Sequence, residues 1–177
     1  EPLSLWYRQP ATKWTEALAT GNGRIGAMVF GGLDRERLQL NEDTLWAGGP
    51  YDPVNPLAKE ALPKVRQMIF EGQYREASQL ITSDVLSRPV GQAPYQTAGD
   101  LQLTFPGMET ATVQDYRRSL NLDTAVSDVS YTLNDVHYTR SVFASPVDQV
   151  IVVRLAADKK GSISFGTGLR SSQRSKV

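Results

Sequence analysis

The chain has 177 residues, long enough for one sizeable domain with its own core, and its 19 basic side chains balance 19 acidic ones. With no net charge and no basic run, nucleic-acid and membrane-surface binding lose their electrostatic support, and no apolar run is long enough to span a bilayer. The chain has no cysteine and one histidine, His137, which excludes disulfides, thiol nucleophiles, thiolate metal sites and a multi-His centre within it. No metal and no cofactor is expected.

The N-terminal part reads as β. The chain opens Glu1-Pro2-Leu3-Ser4-Leu5-Trp6-Tyr7, strand-like from the start and without a signal peptide. That fits an export signal removed earlier, so a secreted or periplasmic location is the expectation. Gly21-Asn22-Gly23 suits a tight turn, because these residues tolerate positive φ. Residues 24–30 form a buried strand, and Gly31-Gly32-Leu33-Asp34-Arg35 turns it into a partner at 37–40.

The middle reads as helical. Asn55-Pro56 supplies a cap and a first-turn proline. Leu57, Ala61, Leu62, Val65, Met68 and Ile69 recur at helical spacing, and Gly72 is placed to end the run. Pro63 is a misfit that should kink or restart the helix. A second helix is expected from Gln73 to about Leu86, with Tyr74, Ala77, Leu80, Ile81 and Val85 inward. A long ordered loop, rich in proline and glycine, follows over residues 88–100.

The remainder reads as β. Residues 101–105, 116–122, 126–133, 136–143, 149–155 and 162–169 alternate polar and apolar, with hairpin turns at Asn134-Asp135 and at residues 158–161. Many short strands at regular spacing indicate a β-sandwich. His137 lies in one of these strands, where a polar-face residue is the simpler reading than a catalytic one. The polar stretch 171–177 reads as a tail or the start of a linker.

One stretch carries chemistry. Residues 40–50 read Leu-Asn-Glu-Asp-Thr-Leu-Trp-Ala-Gly-Gly-Pro. Two carboxylates, an amide, a hydroxyl and an indole sit where a strand becomes a loop. Carboxylates and amides bond sugar hydroxyls, and an indole face stacks on a pyranose. The alternative is that Asn41 and Asp43 only shape a turn.

The motifs Leu5-Trp6-Tyr7, Trp14-Thr15-Glu16-Ala17-Leu18, the run 21–32, Leu40-Asn41-Glu42-Asp43-Thr44-Leu45-Trp46 with Gly48-Gly49-Pro50, Gly99-Asp100-Leu101, the run 116–125 and Tyr138-Thr139-Arg140 closely resemble the N-terminal domain of glycoside hydrolase family 95, chiefly α-L-fucosidases. The resemblance spans nearly the whole chain. It implies a mainly β, supersandwich-like antiparallel sandwich over residues 1–170, with a short two-helix insertion at about 55–86. It also implies a longer protein, in which a helical linker and an (α/α)₆ barrel follow and the barrel carries out inverting hydrolysis. The barrel's catalytic positions have no counterpart here, so no catalytic residue is assigned and this chain alone is expected to be inactive. An inverting pair must stand roughly 6.5–9.5 Å apart across the scissile bond, whereas Glu42 and Asp43 are adjacent. A role as secondary sugar ligands is the expectation for Glu42, Trp46, Gln96 and Asp100. The implied partners are the protein's own C-terminal barrel and a fucosylated oligosaccharide or polysaccharide. L-Fucose and L-galactose are not separated by these residues. The competing reading is an independent carbohydrate-binding or structural β-sandwich.

Overall fold

The computed structural model describes residues 3–173, which divide into two compact units. The first joins residues 1–45 to 97–177, and the second is Trp46–Gln96. The expected tail at 171–177 falls largely on residues outside those described.

The first unit is the β-sandwich. One antiparallel sheet has the order β1 (Ser4–Tyr7), β6 (Gln114–Asn121), β7 (Val126–Leu133), β8 (Val136–Ser145), β9 (Val150–Ala157). The other has the order β10 (Gly166–Arg170), β5 (Gly99–Thr104), β4 (Arg35–Glu42), β3 (Ile25–Val29), β2 (Leu18–Gly21). The core lies between them, where Ala27, Val29 and Leu38 meet Val142, with Leu40, Leu101, Ile151 and Val153 packed around. These residues come from strands of period two, which place alternate side chains on one face.

Two polar ties fix one sheet on the other. Asn22 Nδ2, in the β2–β3 turn, donates to the carbonyl of Ser145 at 2.7 Å, and Thr20 Oγ1 donates to that of Ala125 at 2.8 Å. The same Asn22 closes its own turn by accepting from the N–H groups of Arg24 and Ile25. The Asn134-Asp135 hairpin has both central residues at positive φ, 50° and 58°, the type I′ geometry that suits right-handed strand twist.

The last strand differs from expectation. Residues 162–165 are not strand, and β10 begins at Gly166, paired with Thr104. Beyond Thr104 the partner chain reads Phe105-Pro106, and a proline has no N–H to extend the ladder.

The second unit is a helical hairpin with flanking loops. Helix α1 (Ala58–Phe70) buries Ala61 and Val65. It runs through Pro63 without a break, contrary to the expected kink. Pro63 and Lys59 both lie on the exposed side, so the carbonyl that Pro63 leaves unpaired can bond water. The helix ends as expected at Gly72, φ 78°: Gly72 N–H reaches the carbonyl of Ile69 and Gln73 N–H that of Met68, a Schellman closure.

Asn55 is not the cap. Leu57 holds that position, and Asn55 is buried at 3 % exposure. Its Oδ1 accepts from Leu57 N–H, while its Nδ2 donates to the carbonyls of Ser83 and Leu86. It therefore ties the first helix to the end of the second. That second helix is α2 (Tyr74–Leu80), continuing as a π-helical turn, Ile81–Val85, rather than one α-helix to Leu86. Leu86 N–H bonds the carbonyl of Ile81, five residues back. Ala77 is buried as expected, but Tyr74 is 68 % exposed.

Candidate functional site

Strand β4 organises what the first unit offers. Its alternation sends Glu36 and Leu38 inward and Arg37 and Asn41 outward, with Gln39 in the outward phase. Glu42 ends the strand. Its carboxylate accepts from Thr44 Oγ1 at 2.7 Å and Thr44 N–H at 3.0 Å, and it pairs with Arg24 Nε at 3.3 Å. The Thr44 hydroxyl first, then its N–H and Arg24, hold the Glu42 carboxyl below the ordinary glutamate value of 4.5, against a small opposing effect of burial. Glu42 itself thus shapes the turn.

Asp100 lies on the next strand, directly opposite Gln39 on one side and Arg170 on the other. Its Oδ2 pairs with Arg37 Nε at 3.1 Å. Arg37 in turn lies over the Phe30 ring at 4.8 Å, which fixes the guanidinium. Asp100 has the outward phase of Gln39, and Glu42 the phase of Leu38 and Leu40. The two predicted carboxylates are therefore on opposite faces of the sheet and do not converge.

Trp46 and Gln96 belong to the other unit. Trp46 bridges to Tyr95, and Ala47 N–H donates to the carbonyl of Pro94 at 2.9 Å. The Trp46 and Tyr95 rings meet edge to face, centroids 4.9 Å apart and planes at 69°. The indole is 42 % exposed. Gln96, next in the chain to Tyr95, is partly buried. The loop pairing thus brings Trp46 beside the start of the Tyr95-Gln96 segment.

A buried ionic cluster escaped the sequence reading. Glu36 and Arg140 are 1 % and 3 % exposed, with Arg140 Nη2 at 3.0 Å from Glu36 Oε2. The contact is ionic rather than a well-aligned hydrogen bond, and Arg140 Nε is also buried without a hydrogen-bond partner. Glu36 Oε1 accepts from the N–H groups of Phe30, Gly31 and Arg37, and Arg140 donates to the carbonyl of Gly32 at 2.7 Å. Burial pushes the Glu36 carboxyl above the ordinary range, opposed by Arg140 and those N–H groups. Tyr116 donates to the carbonyl of Gly31, and burial raises its hydroxyl too. Arg118 is 2 % exposed and donates to the carbonyls of Gln9 and Glu16 at 2.7 and 2.6 Å, pinning the N-terminal segment. Every donor and acceptor in this cluster serves the fold. The signal was in the sequence: Glu36 is in phase with Leu38, Arg118 with Leu120, and Arg140 with Val142.

Between the sheets, a cavity of about 190 Å³ is lined by Phe105, Met108, Tyr131, Tyr138, Leu155 and Ile163, among others. None of the predicted site residues reaches it.

Comparison with known proteins places this geometry. The chain is 44 % identical over 167 residues to "Alpha-L-fucosidase 2" of Arabidopsis thaliana, covering 93 % of this chain and 19 % of that protein. It is 34 % identical over 176 residues to a "Probable alpha-fucosidase A" of Aspergillus niger, covering 92 % and 21 % respectively. To the protein of the same name in Aspergillus oryzae it is 32 % identical over 161 residues, covering 86 % of this chain and 21 % of that one. The chain thus spans about a fifth of the length of these curated relatives. Residues 5–177, which include both sheets and the helical insertion, match one family along their whole length, and the chain belongs to it: "Glycosyl hydrolase family 65, N-terminal domain".

Proposed function

We propose that this chain is the N-terminal β-sandwich domain of an inverting α-L-fucosidase of the family 95 type. Its work is to support an (α/α)₆ catalytic barrel that follows it in the intact protein. The observation that carries this reading is the likeness, over 86 to 93 % of the chain, to proteins named as fucosidases. The motifs around Glu42, Trp46 and Asp100 that resemble family 95 point the same way. Within that role, Glu42, Trp46, Gln96 and Asp100 act as secondary ligands for the sugar, and no residue of this chain is catalytic. The substrate is a fucosylated oligosaccharide or polysaccharide met outside the cytoplasm.

The test is hydrolysis by the intact protein. Aryl α-L-fucoside and aryl α-L-galactoside are compared by kcat/KM, and the anomer first released is read by NMR. Faster cleavage of the fucoside with inversion supports the proposal. Preference for the galactoside would reassign the substrate, and retention would remove the protein from this mechanism.

A further inference from the structure

We propose that the outer face of the second sheet holds a binding site of its own for one neutral sugar ring, built by Arg37, Gln39, Asp100 and Arg170. This deepens the reading of Asp100 as a sugar ligand and rests on that alone, independent of any barrel.

The register creates the site. Gln39, Asp100 and Arg170 stand in one row across β4, β5 and β10, and Arg37 reaches Asp100 from the position two residues before Gln39. They line a cavity of about 280 Å³. That is near the lower end of the roughly 300–1,000 Å³ of small-molecule pockets, a size for one ring rather than a chain of them. Gly99 makes the close wall possible. It sits at φ 129°, and a Cβ there would lie 2.5 Å from the carbonyl oxygen of Arg170. Only glycine lets the end of β10 approach this closely.

The chemistry selects the ligand. Gln39 Oε1 is buried and has no hydrogen-bond partner. It needs a donor, at a cost of about 1–3 kcal/mol while none arrives. Asp100 is likewise an acceptor, and its Oδ1 is not used by Arg37. Arg37 and Arg170 are donors only. An inorganic anion such as phosphate can satisfy the two arginines, but it offers almost no protons to Gln39 and is repelled by Asp100. A polyol satisfies both halves, since each hydroxyl donates once and accepts as well. Adjacent ring hydroxyls could bridge Asp100 and Arg170, with a third proton turned to Gln39. No aromatic ring among the lining residues offers a stacking face, so affinity should be weak, on the order of millimolar.

The isotopically labelled chain is titrated with L-fucose, with D-glucose and with inorganic phosphate while its amide NMR signals are followed. At least one sugar should give saturable shifts at Gln39, Asp100 and Arg170, and phosphate should give none there. Gln39→Leu should weaken sugar binding at least tenfold while leaving the thermal midpoint equal or higher, because it deletes an unpaired buried acceptor. Asp100→Asn provides a second variant, with a similar loss. No sugar shifts at concentrations on the order of 100 mM, far above a millimolar dissociation constant, would overturn the site. So would stronger shifts with phosphate, or sugar shifts that survive both substitutions. Hydrolysis of the aryl fucoside by the intact protein is read separately, so failure of this site and failure of the fucosidase assignment are distinct results.

Discussion

Two glutamates on one strand show how little residue type says without phase. Glu36 and Glu42 share the inward parity of β4, yet the first is buried among backbone donors and Arg140 while the second turns back on Thr44 at the strand end. Their responses to change should differ accordingly. Arg140→Met leaves the Glu36 carboxylate buried without its cation, a defect worth about 3–5 kcal/mol. The pair Arg140→Met with Glu36→Gln should cost clearly less, and urea denaturation of both variants measures the gap. The pH dependence follows from the same geometry. Arg140 is the largest influence holding the Glu36 carboxyl down, so the single variant raises it further. A folded value above the unfolded one gives stability that is present at low pH and lost as pH rises through the folded value. The deficit of Arg140→Met should therefore shrink in acid. Glu42 behaves in the opposite sense, because its carboxyl is lowered. Its bonds to Thr44 should persist above pH 4.5 and release only as pH falls through a value below it. An NMR titration of the Thr44 amide reports this directly, and Thr44→Val should move the midpoint up.

At the scale of elements, the strands were legible and the helical insertion only partly so. Strands with one buried face announce themselves by period two, which is why residues 126–133 were bounded correctly from sequence. The missed portion of β10 was a question of partnership: residues 162–165 alternate well enough, but Pro106 removes the donor that would pair them. In the insertion, local rules were overridden by tertiary contacts. Asn55 has the composition of a cap and the position of a rivet. Asn55→Ala should cost about 2–3 kcal/mol, since it strands the carbonyls of Ser83 and Leu86 and frees the N–H of Leu57. Hydrogen exchange at residues 57–61 and 81–86 should accelerate together. Faster exchange confined to the first turn of α1 would restore the simple capping role.

At the scale of the whole molecule, the site was less legible than the fold. Sequence placed Glu42, Trp46, Gln96 and Asp100 near one another by motif. In the structure Glu42 and Asp100 occupy opposite faces of one sheet, and Trp46 and Gln96 lie in a separate unit. The chain also leaves large apolar side chains outside. Phe70 is 89 % exposed, Val147 87 % and Val54 70 %. Surfaces of this kind are usually covered by something. The chain expressed alone should accordingly self-associate and bind a dye for exposed apolar surface, and it should not cleave an aryl α-L-fucoside. A clean monomer at high concentration, or turnover close to that of the intact protein, would contradict this.

Trp46 brings these scales together. Truncating a core tryptophan costs about 3–5 kcal/mol, because it deletes a large buried contact and leaves a cavity. Trp46 is not such a residue: its indole is 42 % exposed and meets Tyr95 edge-on rather than standing in a core. Losing one aromatic pair is worth only about 0.5–1.5 kcal/mol beyond the area involved. Trp46→Ala in the intact protein should therefore shift the denaturation midpoint modestly. If the indole walls the sugar pocket, as proposed, kcat/KM for the aryl fucoside should fall at least tenfold on the same preparation. Trp46→Phe, which keeps a ring but loses the N–H, should recover part of that loss. A large stability loss with normal kinetics would return Trp46 to a structural role, and a small loss with normal kinetics would remove it from the pocket altogether.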